Sequence, residues 1–165
     1  MNFSSLREYF YKLHNLLYGI MLTPLLAFVV LYWLLQSGSI HGVLRDDEYL
    51  NQVLLIGLSF LVLMEWVISL LILKRGLKVT RTLDSLGKKL DRYYLFTLLR
   101  FGLVVSGSIG FAIGFYLTEN QLFTVLFVAS LGILIFFWPT PARVCNDLLL
   151  KGDERTLVLY KKDKL

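Results

Sequence analysis

Four stretches of the chain are apolar over long distances: residues 16–35, 53–73, 94–117 and 122–138. Crossing the hydrocarbon core of a bilayer takes about 20 apolar residues, with a range of about 17–25, and all four stretches reach it. The first and fourth contain no charge, the second only Glu65 and the third only Arg100. The pattern predicts an all-α integral membrane protein with four transmembrane helices, at about 16–36, 50–73, 94–117 and 121–138. All of 1–165 forms a single four-helix membrane domain on this reading. The first stretch contains Tyr18, Pro24 and Trp33 and lacks a small-x-small cleavage site. Signal-peptide cores are shorter, so it reads as a retained first span.

Between the spans the pattern changes period. Leu6, Phe10, Leu13 and Leu17 recur at helical spacing, and Ser5 with Glu8 has the spacing of a capping box. Residues 1–15 are therefore expected to form an interfacial lead-in helix. Pro24 removes a backbone donor inside the first span, which predicts a kink there. In the 74–93 loop, Leu83, Leu86 and Leu90 keep helical spacing, so the third helix is expected to begin on the inner side and run partly along the interface. Thr140 and Pro141 fit the N-cap and first position of a short amphipathic helix, and Gly152 fits its C-terminal stop. Residues 140–165 make a short basic cytoplasmic tail.

Charge fixes the expected orientation. Two basic residues precede the first span (Arg7, Lys12), and seven lie between spans two and three: Lys74, Arg75, Lys78, Arg81, Lys88, Lys89 and Arg92. Six follow span four (Arg143, Lys151, Arg155, Lys161, Lys162, Lys164), whereas only Arg45 lies between spans one and two. Loops rich in Lys and Arg stay cytoplasmic, so both termini are expected inside. The seven residues of the middle loop are candidates for contacts with anionic headgroups, at roughly 1 kcal/mol each. No nucleic-acid-binding motif accompanies the charge.

Composition narrows the chemistry further. Hydrophobic residues make up 56% of the chain, with a mean hydropathy of +0.65. Cys145 is the only cysteine, which excludes an intramolecular disulfide and dithiol redox chemistry. His41 with Asp46, Asp47 and Glu48 lacks metal-ligand spacing, and these acids read better as the N-terminal turn of the second helix. No metal, cofactor or catalytic constellation is legible, so the chain is not expected to be an enzyme.

Two constellations remain. Gly102, Ser106, Gly110 and Gly114 are spaced four apart along the third span, a small-residue ridge of the kind that lets membrane helices approach closely. This register predicts that a bulky side chain at Gly110 disturbs packing more than one at Gly107. Counted from the inner boundary, Glu65 lies roughly 12 Å deep and Arg100 roughly 9 Å deep, and Thr23 and Ser130 fall near the same level. The expectation is an intramembrane polar layer in which Glu65 and Arg100 pair. One geometric point opposes it: side chains lean toward their own helix N-terminus, so Glu65 leans outward and Arg100 inward.

The function these features suggest is that of a non-catalytic subunit or accessory or assembly factor of a larger membrane complex. The implied partners are the bilayer itself and other membrane subunits or further copies of the chain. The alternative is a small oligomeric proton-coupled transporter or channel using Glu65. The expected location is a plasma membrane, in particular a bacterial inner membrane.

Overall fold

A computed structural model describes residues 5–161. Among these residues the chain is entirely helical: α1 (Leu6–Gln36), α2 (Glu48–Thr80), α3 (Leu86–Thr118), α4 (Gln121–Phe136), α5 (Pro141–Leu148) and α6 (Gly152–Tyr160). The first three are long and apolar enough to cross a membrane, and α4 with α5 makes a fourth if that pair, bent by 75°, counts as one span. Lys162 and Lys164, counted in the basic tail, lie outside the described residues, as do the first four residues of the lead-in.

The helix starts follow their capping residues. Ser5 accepts the backbone N–H of Glu8 at 3.1 Å, and Glu8 pairs with Lys12 at 2.5 Å. Asp47 accepts the N–H of Leu50 at 3.0 Å, so it caps α2. Thr140 caps α5 with Pro141 in its first turn, where the missing donor costs nothing. Gly152 is not the stop of α5. The chain turns at Leu149 in the left-handed conformation (φ 54°) and Gly152 opens α6. Turning there leaves Leu149 exposed and sends Leu148 and Leu150 into the interior. Burial of the two flanking leucines outweighs the strain at the middle one.

The three long helices overshoot the bilayer. Thirty-three residues span about 50 Å against a hydrocarbon core of about 30 Å. The surplus of α1, α2 and α3 gathers at one end with α5 and α6. The 74–93 loop thereby shrinks to residues 81–85, with Lys74, Arg75 and Lys78 riding on the end of α2. The lead-in is continuous with the first span, because nothing between Leu6 and Pro24 interrupts the helix. Its Leu6, Tyr9, Phe10 and Leu13 are among the most buried residues in the molecule. The Tyr9 hydroxyl donates to the Leu90 carbonyl at 3.2 Å, and its ring lies 5.2 Å from that of Phe10.

α3 is the hub. α1, α2 and α4 all pack on it, while α2 and α4 scarcely touch each other. Its buried residues fall in rows seven apart: Leu90, Thr97, Val104, Phe111 and Thr118; Tyr93, Arg100, Gly107 and Gly114; Tyr94, Phe101, Ser108 and Phe115. Seven residues return a helix to nearly the same face, with a drift of about 20°.

Candidate functional site

The residues expected to form one polar layer separate into local arrangements. On α1, Thr23 is exposed and its hydroxyl donates to the Gly19 carbonyl at 2.8 Å. On α4, Ser130 is buried and donates to the Phe127 carbonyl at 2.7 Å. Each satisfies itself on its own helix.

Glu65 and Arg100 do not pair. The Glu65 carboxylate faces the Ser106 hydroxyl at 3.4 Å, but that hydroxyl makes its shorter bond to the Leu103 carbonyl, at 2.7 Å. Glu65 Oε2 lies so close to Gly107 that a Cβ added there would sit 2.9 Å from it. No described cation stands within ion-pair distance of Glu65. Arg100 instead lays its guanidinium 3.9 Å above the ring of Phe137, the C-cap of α4. The reason is the opposed lean of side chains on antiparallel helices. Ser106 lies six residues, or about 9 Å, farther outward along α3 than Arg100, and the two side chains diverge to either side of that step.

The four-residue ridge also resolves differently. Gly102 and Ser106 are exposed, Gly110 is half-buried and Gly114 is buried. Four residues advance a helix by about 40° beyond a full turn, so the ridge winds off one face and onto another. The close approach to α2 is at Gly107, where an added Cβ would meet Val62 Cγ1 at 2.9 Å; at Gly110 the nearest atom is 3.9 Å away, and at Gly102 there is none within 4 Å. Gly114 does pack tightly, but against Phe123 of α4.

At the end of the bundle that holds α5 and α6, a cationic and aromatic cluster ties α2, α3 and α5 together. Arg81 donates through Nε and Nη2 to the Asp147 carbonyl at 2.8 and 2.6 Å, and the Tyr93 hydroxyl donates to Asp147 Oδ2 at 2.9 Å. Arg143 donates to the Phe136 carbonyl at 2.6 Å and lies 5.5 Å from the Phe137 ring, which also meets Arg100. Lys89 pairs with Glu154 at 2.9 Å. Arg81 and Lys89, expected at headgroups, therefore bind the chain's own tail, while Lys74, Arg75, Lys78, Lys88 and Arg92 stay exposed. Burial pushes the Cys145 thiol above its ordinary range, and its hydrogen bond runs to the Arg155 carbonyl at 3.8 Å. It packs α5 against α6.

At the opposite end of the bundle, Glu119 forms a clamp that the sequence analysis did not anticipate. It ends α3 in the left-handed conformation (φ 54°), and its carboxylate accepts the Gly42 N–H at 2.7 Å and faces Arg45 at 3.4 Å. The 37–47 loop is further held by Leu44 N–H to the Leu117 carbonyl at 2.8 Å. The signal available was only an acidic residue in a short turn, which does not reveal a long-range partner. Among the described residues, no three His, Cys, Asp or Glu side chains gather closely enough to hold a metal ion. The chain matches no protein-family model, no curated protein and no solved structure.

Proposed function

We propose that the protein is a non-catalytic subunit or accessory factor of a larger membrane complex, and that the α2–α3 seam around Glu65 is where a partner helix docks. The observation that carries this reading is the position of the Glu65–Ser106 pair. Glu65 is only half-buried and Ser106 is exposed, on a helix whose outward Leu63, Met64, Val67 and Ile68 are all uncovered. A carboxyl left facing lipid is costly, and intramembrane ionisable groups normally face protein. A further helix over this seam would remove that cost. Small and hydroxyl side chains on it would approach closely and bond across the interface. Further copies of the same chain are equally able to supply such a helix.

The topology belongs to the same proposal: four spans, with α4 as the last, both termini and the 81–85 connection inside, and a bacterial inner membrane as the setting. It rests on the basic residues at the ends of α2 and α3. A cysteine introduced at 38–46 should react with an impermeant reagent from outside, and one at 80–90 should not. The reverse pattern would sink the orientation.

The second reading, a proton-coupled transporter, draws on the same carboxyl, since Glu65 lacks a cationic partner among the described residues. Purification in mild detergent with mass spectrometry of co-eluting chains separates the two. A stoichiometric partner or defined oligomer lost in Glu65→Leu supports docking. A lone chain that carries proton-linked flux in liposomes, abolished in Glu65→Gln, replaces it.

A further inference from the structure

Among the described residues, three buried hydrogen-bond donors have no acceptor; one is the Thr124 hydroxyl, and the other two line the same cavity. These two are Nη2 of Arg100 and Nε1 of Trp66. The cavity, about 120 Å³, lies between α2, α3 and α4 and is lined by Trp66, Ser69, Arg100, Val104, Ile133 and Phe137. Arg100 is 8% exposed, so its charge is held almost entirely away from solvent. Its stacking on Phe137 meets the face of the guanidinium, whereas hydrogen bonds form at its edge. Buried polar groups are nearly always paired, and a guanidinium does not relieve the cost by losing its proton. The Nη2 edge therefore lacks an acceptor; the Asp147 carboxylate acts on Arg100 electrostatically but takes no hydrogen bond from that nitrogen.

The shape of the cavity indicates what supplies it. The walls other than the donors and Ser69 are apolar, and one of them, Leu70 of α2, is also exposed at the surface. α2 and α4 each pack on α3 and scarcely on each other, and the cavity lies along that line of weak contact. The volume resembles that of an engineered cavity of about 150 Å³ that holds benzene. That accommodates one small headgroup and the first carbons behind it. A carboxylate has two oxygens for the two donors. A phosphate would bring further oxygens into apolar walls.

We infer that this cavity binds the carboxylate of a long-chain fatty acid, with Arg100 and Trp66 as donors and the acyl chain leaving between α2 and α4 into the inner leaflet. This site is separate from the Glu65–Ser106 seam, and its failure leaves the docking reading standing.

The test uses the full-length protein in lipid nanodiscs with a photoreactive diazirine derivative of palmitic acid, and maps the adducts by mass spectrometry. Labelling should fall on the peptides around Leu70 and Ile133. Palmitic acid should compete, while methyl palmitate and inorganic phosphate should not. Arg100→Gln should weaken half-saturation about tenfold or more, because a charge-assisted bond is lost. Trp66→Phe, which keeps the ring and removes the N–H, should weaken it about three- to tenfold. If Arg100→Gln does not fold, Trp66→Phe and the competitors decide on their own. Equal competition by the methyl ester, stronger competition by phosphatidic acid than by palmitic acid, or labelling unchanged in both variants would each overturn the assignment.

Discussion

α2 and α3 have the same length, 33 residues each, and both are long and apolar enough to cross a membrane, yet they occupy opposite places in the fold. Half of the most apolar window of α3 is buried inside the protein, against 11% for α2, although α2 is the more apolar of the two. In water the more apolar helix would be the more buried. In lipid, apolar side chains lose nothing by facing outward, and close packing between helices depends on small residues and complementary shapes. α3 has Gly107, Ser108 and Gly114 among its buried residues, and at Gly107 and Gly114 its backbone meets side chains of α2 and α4 almost directly. α2 offers mostly large aliphatic side chains, and only a few of its residues are buried.

The sharpest way to break this comparison is to enlarge glycines along α3. Of the three that face α2 or the surface beside it, Gly107→Leu should be the most damaging, at about 2–3 kcal/mol or more, because Val62 and the Glu65 carboxylate occupy the space a side chain needs. Gly110→Leu should cost about 1 kcal/mol, and Gly102→Leu should stay within about 0.5 kcal/mol. Thermal unfolding of the detergent-solubilised protein reads all three. Equal losses would mean that α3 has no privileged contact with α2.

A smaller effect tests how α1 joins the hub. Tyr9→Phe removes the hydroxyl bonded to the Leu90 carbonyl, worth about 1 kcal/mol. The substitution also changes the alkaline limb. Burial holds the Tyr9 phenol well above its ordinary value of 10.0. The folded protein keeps that proton while the unfolded chain gives it up, so its contribution is full below about pH 10 and falls as the pH climbs beyond it. Tyr9→Phe should flatten that fall in a series of melts across pH 8–12, and an unchanged slope would show the hydroxyl to be freely ionising.

Smaller still is the coupling between Glu65 and Arg100. With no bond between them, Glu65→Leu, Arg100→Leu and the double variant should be additive within about 0.5 kcal/mol. Substantial recovery in the double variant would restore the ion pair that the spacing suggested. The least effect is expected at the exposed Lys88, where Lys88→Gln should leave the melting midpoint unchanged, in contrast to Lys89→Gln, which loses the pair with Glu154.

What could be read from sequence was what depends on neighbours along the chain. The apolar lengths, and the caps at Ser5, Asp47 and Thr140 with Pro141, are of this kind, because each is decided within one or two turns. The four-residue ridge failed for a geometric reason: its period is longer than the helical repeat, so it winds from the exposed Gly102 to the buried Gly114. The rows of seven through Arg100, Gly107 and Gly114 were equally visible in the letters. Nothing in the letters, however, says which helix lies opposite. Depth along the membrane normal placed Glu65 and Arg100 together, yet the lean and length of their side chains decided their partners. The Glu119 clamp and α6 depend on contacts between distant segments, and no local pattern announces either.

The shortness of α4 has a consequence for the membrane itself. Its 16 residues extend only about 24 Å, while a typical hydrocarbon core is about 30 Å thick. On the four-span reading, the bilayer beside α4 is under hydrophobic mismatch. Thinning of the inner leaflet at the bend before α5 meets it at modest cost. The protein would then sort toward thinner bilayers, and the headgroup plane would dip toward Phe137, just where the Arg100 guanidinium is held.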